Sequence, residues 1–153
     1  MRLLLDTTYF LPTIGVSIKD LEKDALLKLI AKRQQISINE ISIFELSAKG
    51  AKYVTTGALP AERVARGIRA IVYDEKIEIV PIYNSTLLLT AFKLRNMLND
   101  FIDCLILSSA INQCDALVTE DSDILNLYKN EEFNELLSTT KPNFKIYKLN
   151  ETL

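Results

Sequence analysis

Apolar positions alternate along the chain between short continuous runs and longer segments with helical spacing. The short runs are typical of buried strands and occupy residues 2–5, 36–38, 77–82, 116–118 and 144–149. Helical spacing fills the intervals, at about residues 17–34, 39–49, 61–76, 87–98 and 104–112, with shorter helical pieces across residues 124–137. This alternation predicts the α/β class, as a three-layer α/β/α sandwich around a mostly parallel sheet of about five short strands. We expect residues 1–153 to form a single domain.

Capping signals predict where three of the helices begin. Ser17 and Asp20 have the spacing of a capping box, which places the first helix start near residue 17. Ser37 and Glu40 have the same spacing and place the second start near residue 39. Asp100 is expected to be the N-cap of a later helix, because an acid at that position accepts hydrogen bonds from unpaired backbone N–H groups.

The stretch from Asn99 to Ile124 places acids directly beside apolar sequence. Asp103 precedes an almost uncharged helical segment, and Asp121 follows the short strand at residues 116–118. In a parallel sheet, the helix that leads into a strand runs antiparallel to it, so its first turn lies at the edge where the strand ends. We therefore expect Asp103 and Asp121 to be neighbours, at the edge where open α/β sheets bind ligands.

Two further acids are expected at the same edge. Asp6 ends the apolar run at residues 2–5 and is followed by the hydroxyl of Thr7, although capping of the next segment also explains an isolated Asp here. Glu45 lies on the apolar stripe of its helix, four residues after Ile41. A buried, unpaired carboxylate is costly, so Glu45 requires a proton, a cation or a metal ion as its partner.

The absence of histidine restricts the chemistry available to the chain. It excludes Ser-His-Asp and Cys-His catalysis, histidine general bases and histidine metal ligands, so any catalysis has to use carboxylates. The formal net charge is −2, and a nucleic-acid partner would therefore require a local basic patch. Arg63, Arg66 and Arg69 recur every three residues on one helix and are candidate RNA contacts, although a solvated helix face explains them as well.

Cysteine usage and hydropathy predict the compartment. Cys104 and Cys114 match neither a disulfide framework nor a zinc motif, and we expect reduced core thiols. No apolar run reaches the length of a membrane span, and the chain becomes acidic too early, at Asp6, for a signal peptide. We expect a soluble cytoplasmic protein with no membrane contact.

The acids together predict a metal site. Four of them are expected to share one sheet edge, with a fifth acid and a hydroxyl beside them: Asp6, Glu45, Asp103 and Asp121, then Asp123 and Thr119. Ligation by oxygen alone favours Mg²⁺ or Mn²⁺, and such ions activate water for phosphodiester hydrolysis. The five acids are the predicted metal ligands, and the first four are also the predicted catalytic residues. Thr119 and Thr7 are predicted to support them.

At these residues the sequence resembles the PIN-domain family of metal-dependent ribonucleases, especially the toxin subunits of type II toxin–antitoxin (VapC-like) systems. The resemblance covers nearly the whole chain. The family's four acids, in order, look like Asp6 in LLLDTT, Glu45 in ISIFELSAKG, Asp103 in IDCLILSSA and Asp121, with Thr119, in ALVTEDSD. The resemblance implies an α/β/α fold, Mg²⁺ or Mn²⁺, cleavage of single-stranded RNA that leaves a 5′-phosphate, homodimers and an inhibitory antitoxin. An additional acid, three residues before Asp103, departs from the family pattern.

Other functions remain open from the sequence. A haloacid dehalogenase-like phosphatase would have a second acid two residues after Asp6, where this chain has Thr8. A receiver-like signalling domain gives no role to Glu45. A PIN-like scaffold that binds RNA or protein without cutting, and an RNA-processing nuclease that is not a toxin, are both compatible with the residues.

Overall fold

A parallel sheet of five strands forms the centre of the molecule, which we describe over residues 1–152 of a computed structural model. The strands are Arg2–Leu5 (β1), Gln35–Asn39 (β2), Ile77–Val80 (β3), Ala116–Val118 (β4) and Lys145–Tyr147 (β5). Their order is β3-β2-β1-β4-β5, and all four pairings are parallel. The predicted fold class is therefore confirmed. Leu153, the last residue of the predicted domain, lies outside the described residues.

Helices cover both faces of this sheet. They are Ala25–Ala31 (α1), Glu40–Thr55 (α2), Ala61–Val72 (α3), Ser85–Leu94 (α4), Phe101–Gln113 (α5), Ser122–Leu125 (α6) and Glu131–Thr140 (α7), with 3-10 turns at Thr7–Ile14, Asn126–Lys129 and Leu149–Glu151. Successive residues of β1 point to opposite faces, so Leu4 packs with residues of α4, α5 and α7, whereas Leu3 and Leu5 pack with residues of α1, α2 and α3. The two apolar cores on either side of the sheet confirm the predicted three layers.

The first helix begins later than its capping signal predicted. α1 starts at Ala25, and residues 17–24 form turns instead of helix. Asp20 has a φ of 64°, a left-handed conformation that a right-handed helix cannot contain, so the capping box of Ser17 and Asp20 is wrong. Leu21 is nevertheless half-buried against the core. The helical spacing of apolar residues in 17–24 therefore arose because an irregular segment buries some of its side chains.

The second helix has a different cap from the predicted one. Asn39, the last residue of β2, accepts a hydrogen bond from the backbone N–H of Ile41 at 2.7 Å. Ser37 lies within β2, so the capping box of Ser37 and Glu40 is wrong. The Glu40 carboxylate instead accepts the N–H of Ile82 at 2.7 Å and fastens the segment after β3 to α2. Because strand and helix are continuous in sequence here, the strand residue itself supplies the cap.

Two smaller expectations are confirmed. Asp100 caps α5 by accepting the N–H of Ile102 at 2.9 Å. Cys104 and Cys114 are free, buried thiols. Burial raises the pKa of each to about 11, which keeps them protonated and unreactive at neutral pH.

The contact between α3 and the 3-10 turn at Thr7–Ile14 depends on Gly67. A Cβ at position 67 would lie 2.3 Å from the carbonyl oxygen of Thr13 and 2.8 Å from the Cα of Ile14. We expect Gly67→Ala to lower the free energy of unfolding by about 2 kcal/mol or more, because the backbone contact cannot yield as a side chain would and outweighs the gain in helix propensity.

Urea unfolding measures this loss. The control is Ala70→Ser, at an exposed position of the same helix, for which we expect a change within about 0.5 kcal/mol. Similar values for the two variants would mean that α3 moves away from the 3-10 turn at little cost.

Candidate metal centre

The carboxyl edge of the sheet collects the predicted acids from four parts of the chain. Leu5 pairs with Val118, so the residues that follow β1 and β4 leave the sheet at the same level. Asp6 follows β1, and Thr119 follows β4 and leads to Asp121. The helices α2 and α5 begin at this edge and carry Glu45 in the second turn and Asp103 in the first. We refer to Asp6, Glu45, Asp103 and Asp121 as the carboxylate centre.

Asp6 is held at both of its carboxylate oxygens. The Thr119 hydroxyl donates a hydrogen bond to Oδ2 at 2.7 Å, and the backbone N–H of Thr7 donates to Oδ1 at 2.7 Å. Thr119 is fully buried and also accepts the N–H of Asp121 at 3.1 Å. Burial raises the pKa of Asp6, and the hydrogen bond from Thr119 opposes that rise. Asp6 therefore acts as the N-cap of the 3-10 turn and as a fixed carboxylate of the centre.

Glu45 has a neutral partner that the sequence analysis did not anticipate. The hydroxyl of Thr7, itself buried, donates to Oε1 of Glu45 at 2.6 Å. The same hydroxyl lies 2.8 Å from the hydroxyl of Ser42, from which it accepts a hydrogen bond while its own proton goes to Glu45. A hydroxyl thus satisfies one oxygen of Glu45, where a proton, cation or metal ion was expected.

Asp103 experiences the combined charge of the centre. Burial is the largest cause of a rise in the pKa of Asp103 to about 7. The negative charges of Asp100, Asp121, Asp6 and Glu45, in that order, supply the rest of this rise. Within residues 1–152 the Asp103 carboxylate accepts no hydrogen bond from a side chain or backbone N–H that would offset this repulsion. The effect of the Asp121 charge on the pKa of Asp103 agrees with the predicted proximity of these two residues.

The oxygen atoms of the carboxylate centre suit a hard divalent cation, whereas the carboxylates themselves are widely spaced. Every side chain of the carboxylate centre offers oxygen, the ligand atom that Mg²⁺ and Mn²⁺ prefer. Among the described residues, however, no three Asp, Glu or Cys side chains are grouped closely enough to hold an ion as they stand. The chemistry of the centre therefore fits such an ion, which would have to draw the carboxylates together.

Residues 3–130 match the family model of the PIN domain. The chain belongs to the PIN-domain family. This family consists of nucleases that generally use divalent metal ions, and the match spans all four acids of the carboxylate centre.

Solved structures share the fold of this PIN domain. One is a chain of the crystal structure of VapBC2 from Rickettsia felis bound to a DNA fragment from their promoter, with 20% identity, a TM-score of 0.58, and coverage of 97% of this chain and 98% of that one. Another belongs to a toxin-antitoxin complex from Klebsiella pneumoniae, with 18% identity, a TM-score of 0.55, and coverage of 85% and 93%. No curated protein matches the sequence. No helix in residues 1–152 is long and apolar enough to span a membrane.

Two predicted site residues differ in their surroundings from the carboxylate centre of the PIN domain. Asp123 is exposed in the first turn of α6 and lines a separate cavity of about 350 Å³ with Asn99 and Lys129, so its role as a ligand stays a prediction. Arg63 is half-buried and donates from Nη1 to the carbonyl oxygen of Thr13 at 2.6 Å. It therefore differs from the exposed arginines of the predicted stripe, because it fastens α3 to the 3-10 turn.

The sequence analysis missed two charged residues and one hydroxyl that act on the carboxylate centre. Asp100, identified only as a helix cap, contributes the largest charge effect on Asp103. The positive charge of Lys49 lowers the pKa of Asp6, and its position four residues after Glu45 was a readable signal. Ser42, which supports Thr7, left no signal because a serine in a helix is usually only solvated.

Proposed function

We propose that this PIN domain is a divalent-metal-dependent endoribonuclease that hydrolyses phosphodiester bonds of single-stranded RNA. The observation that carries the proposal is the placement of four acids from separate parts of the chain at the carboxyl edge of the sheet, where the charges of the other three raise the pKa of Asp103. A structural role does not require such repulsion. A divalent cation bound by these carboxylates would offset their repulsion.

The residues of the centre would divide the work of binding a metal ion. Asp6 presents oxygens already oriented by Thr119 and Thr7, and Thr7 likewise orients Glu45. Asp103 accepts no hydrogen bond from residues 1–152, so both of its oxygens would be available to a metal ion. Asp121 retains one oxygen beyond the Oδ1 that accepts the N–H of Ile124 at 3.0 Å. Mg²⁺ or Mn²⁺ supplies Lewis acidity towards a phosphate oxygen and towards water.

The proposal is tested by incubating single-stranded RNA with the purified protein. We expect cleavage with Mg²⁺ or Mn²⁺, none in excess EDTA, and 5′-phosphate ends on the products, which a kinase-dependent labelling assay detects. Undiminished cleavage in EDTA would reject the metal-dependent mechanism. Binding of RNA without cleavage under every metal condition would favour a scaffold that does not cut.

We further propose that the protein is a cytoplasmic toxin, forms a homodimer and is inhibited by an antitoxin. The support is the fold shared with chains of two toxin–antitoxin complexes. Exposed aromatic side chains beside the centre offer surface for a partner: Phe44 precedes Glu45, and Phe101 stacks on Phe92 with ring centroids 6.0 Å apart. Light scattering of the purified chain tests the dimer. Growth arrest on expression, relieved by a co-expressed partner, tests the toxin role.

RNA binding is expected to use Arg66 and Arg69, the exposed members of the predicted stripe. Each phosphate contact to a single strand contributes about 0.7 to the slope of log K against log salt, so loss of both contacts in Arg66→Glu/Arg69→Glu should flatten the slope by about 1.4. Fluorescence anisotropy over a salt series measures it. The control is Lys145→Glu, at the start of β5 and so at the opposite edge of the sheet. An unchanged slope in the double variant would mean that this helix face contacts only solvent and does not bind RNA.

A further inference from the structure

A second cavity adjoins the carboxylate centre. Its volume is about 570 Å³, within the range of ~300–1,000 Å³ typical of small-molecule sites. Its walls come from the start of the 3-10 turn at Thr7–Ile14, the turns before α1, the residue after Thr119 and residues 148–150 beyond β5. The lining side chains that carry the following argument are Tyr9, Lys19, Leu21, Glu120, Lys148 and Leu149.

The chain connects this cavity directly to the centre. Glu120 lies between Thr119 and Asp121, and Tyr9 donates its backbone N–H to the carbonyl oxygen of Asp6 at 3.2 Å. Consecutive Cα atoms are about 3.8 Å apart, so the wall of the cavity begins one residue from the carboxylates. A strand of RNA whose phosphate lies at the centre therefore brings a neighbouring nucleotide within reach of the cavity.

Glu120 is fixed in the cavity with one oxygen in use. Its Oε1 accepts hydrogen bonds from the Tyr9 hydroxyl at 3.0 Å and from the backbone N–H of Leu149 at 3.2 Å. Burial raises the pKa of Tyr9 far above its ordinary value, so the phenol keeps the proton that it donates. In the described part of the chain, Oε2 of Glu120 receives no hydrogen bond. An ionised carboxylate only accepts, so this oxygen selects a ligand that offers N–H or O–H.

The surroundings of Glu120 match the rest of a nucleotide. Leu21 and Leu149 supply apolar surface for the face of a base. Lys19 and Lys148 are exposed, line the same cavity and form no ion pair within residues 1–152, so both are available to phosphates. The combination of apolar wall, fixed acceptor and two lysines favours a nucleotide over a purely apolar peptide segment.

We propose that this cavity binds the base next to the scissile phosphate and that Glu120 accepts its exocyclic amino group. The proposal rests on the function proposed above. Cytosine carries an amino group at the position where uracil carries a carbonyl oxygen, and a carboxylate accepts from the first and repels the second. The cavity therefore discriminates against uracil, and Glu120 determines this specificity.

The test compares binding of the labelled pentanucleotides r(C)5 and r(U)5 in EDTA, where binding is measured without cleavage. We expect the wild-type protein to bind r(C)5 about tenfold more tightly than r(U)5. Glu120→Gln keeps an acceptor for Tyr9 and Leu149 but replaces Oε2 with an N–H donor, so its preference should reverse towards r(U)5. Both hydrogen bonds of the fold survive in this variant, which should melt as the wild type does.

The matched control is Glu22→Gln, which removes the same charge from a residue that lines the same cavity but already pairs with Lys28. We expect it to retain the preference for r(C)5. Equal binding of both pentanucleotides by the wild type, or an unchanged preference in Glu120→Gln, would overturn the proposal and leave the cavity to a polypeptide partner. A preference for r(C)5 that depends on Glu120, in a protein that never cleaves RNA, would support the base site and reject the nuclease function. Failure of the base site and failure of the proposed function are therefore distinguishable.

Discussion

Asp103→Asn should reduce Mn²⁺-dependent RNA cleavage by about a hundredfold or more while the protein stays folded. Asparagine keeps the size of the side chain but removes the charge on which the other carboxylates act and one anionic ligand of the proposed metal ion. Because Asp103 accepts no hydrogen bond in the described residues, the substitution breaks no contact of the fold. Single-turnover cleavage of a labelled RNA measures the loss, and circular dichroism verifies folding.

Asp6→Asn should be equally inactive for a second reason. An amide nitrogen in place of Oδ2 cannot accept the proton of Thr119, so the side chain loses its orientation as well as its charge. The control is Asp24→Asn, an exposed acid at the start of α1 whose side chain makes no capping hydrogen bond. Asp24→Asn should cleave as the wild type does. Cleavage at the wild-type rate by Asp103→Asn or Asp6→Asn would remove that residue from the catalytic set.

Asp103→Asn should also melt at a higher temperature than the wild type without metal at pH 8. The folded pKa of Asp103 is about 7, above the ordinary value of 3.8, so ionisation favours the unfolded chain. Below about pH 4 the group is protonated in both states and costs nothing. The cost grows between about pH 4 and 7 and is constant above that range.

Asp103 is only half-buried, so solvent screening reduces this cost to about 1–2 kcal/mol, which corresponds to a rise of about 3–6 °C in Tm. Asp121→Asn should shift Tm in the same direction, and asparagine can still cap α6 through the N–H of Ile124. Mn²⁺ should stabilise both variants less than the wild type. Thermal melts in EDTA and in Mn²⁺, at pH 4 and pH 8, measure these effects. A lower Tm for both variants in EDTA, with an undiminished response to Mn²⁺, would mean that the acids do not repel one another.

The elements of the fold are predictable from the sequence where the apolar pattern and the residues that cap or end an element indicate the same bounds. β1 and β4 are continuous apolar runs and were predicted at their observed bounds. α5 begins three residues before the predicted segment at 104–112, directly after its predicted N-cap, Asp100. The start of α1 was wrong because a capping box is a local pattern. The left-handed φ of Asp20 depends on how residues 17–24 cross the core, which spacing does not encode.

For the carboxylate centre, the sequence predicts where the backbone places each acid but not the side-chain conformations. Strand and helix direction alone brought the acids to one edge, because direction fixes where each element ends. Rotamers decide the rest, including the hydrogen bond from Thr7 to Glu45 and the reach of Arg63 to Thr13. Arg63 and Arg66 have identical chemistry and regular spacing, and only the packing of α3 separates a structural arginine from an exposed one.

The position of β1 between β2 and β4 sets the order in which a newly made chain can complete the carboxylate centre. The hydrogen bond that orients Asp6 comes from Thr119, 113 residues later. At a translation rate of ~5–20 residues per second, the ribosome releases that partner on the order of ten seconds after Asp6. A chain whose synthesis stops before β4 carries Asp6, Glu45 and Asp103 but lacks both Asp121 and the Thr119 hydroxyl that orients Asp6. Under the proposed function, aborted translation products therefore lack a complete carboxylate centre and should not cleave RNA.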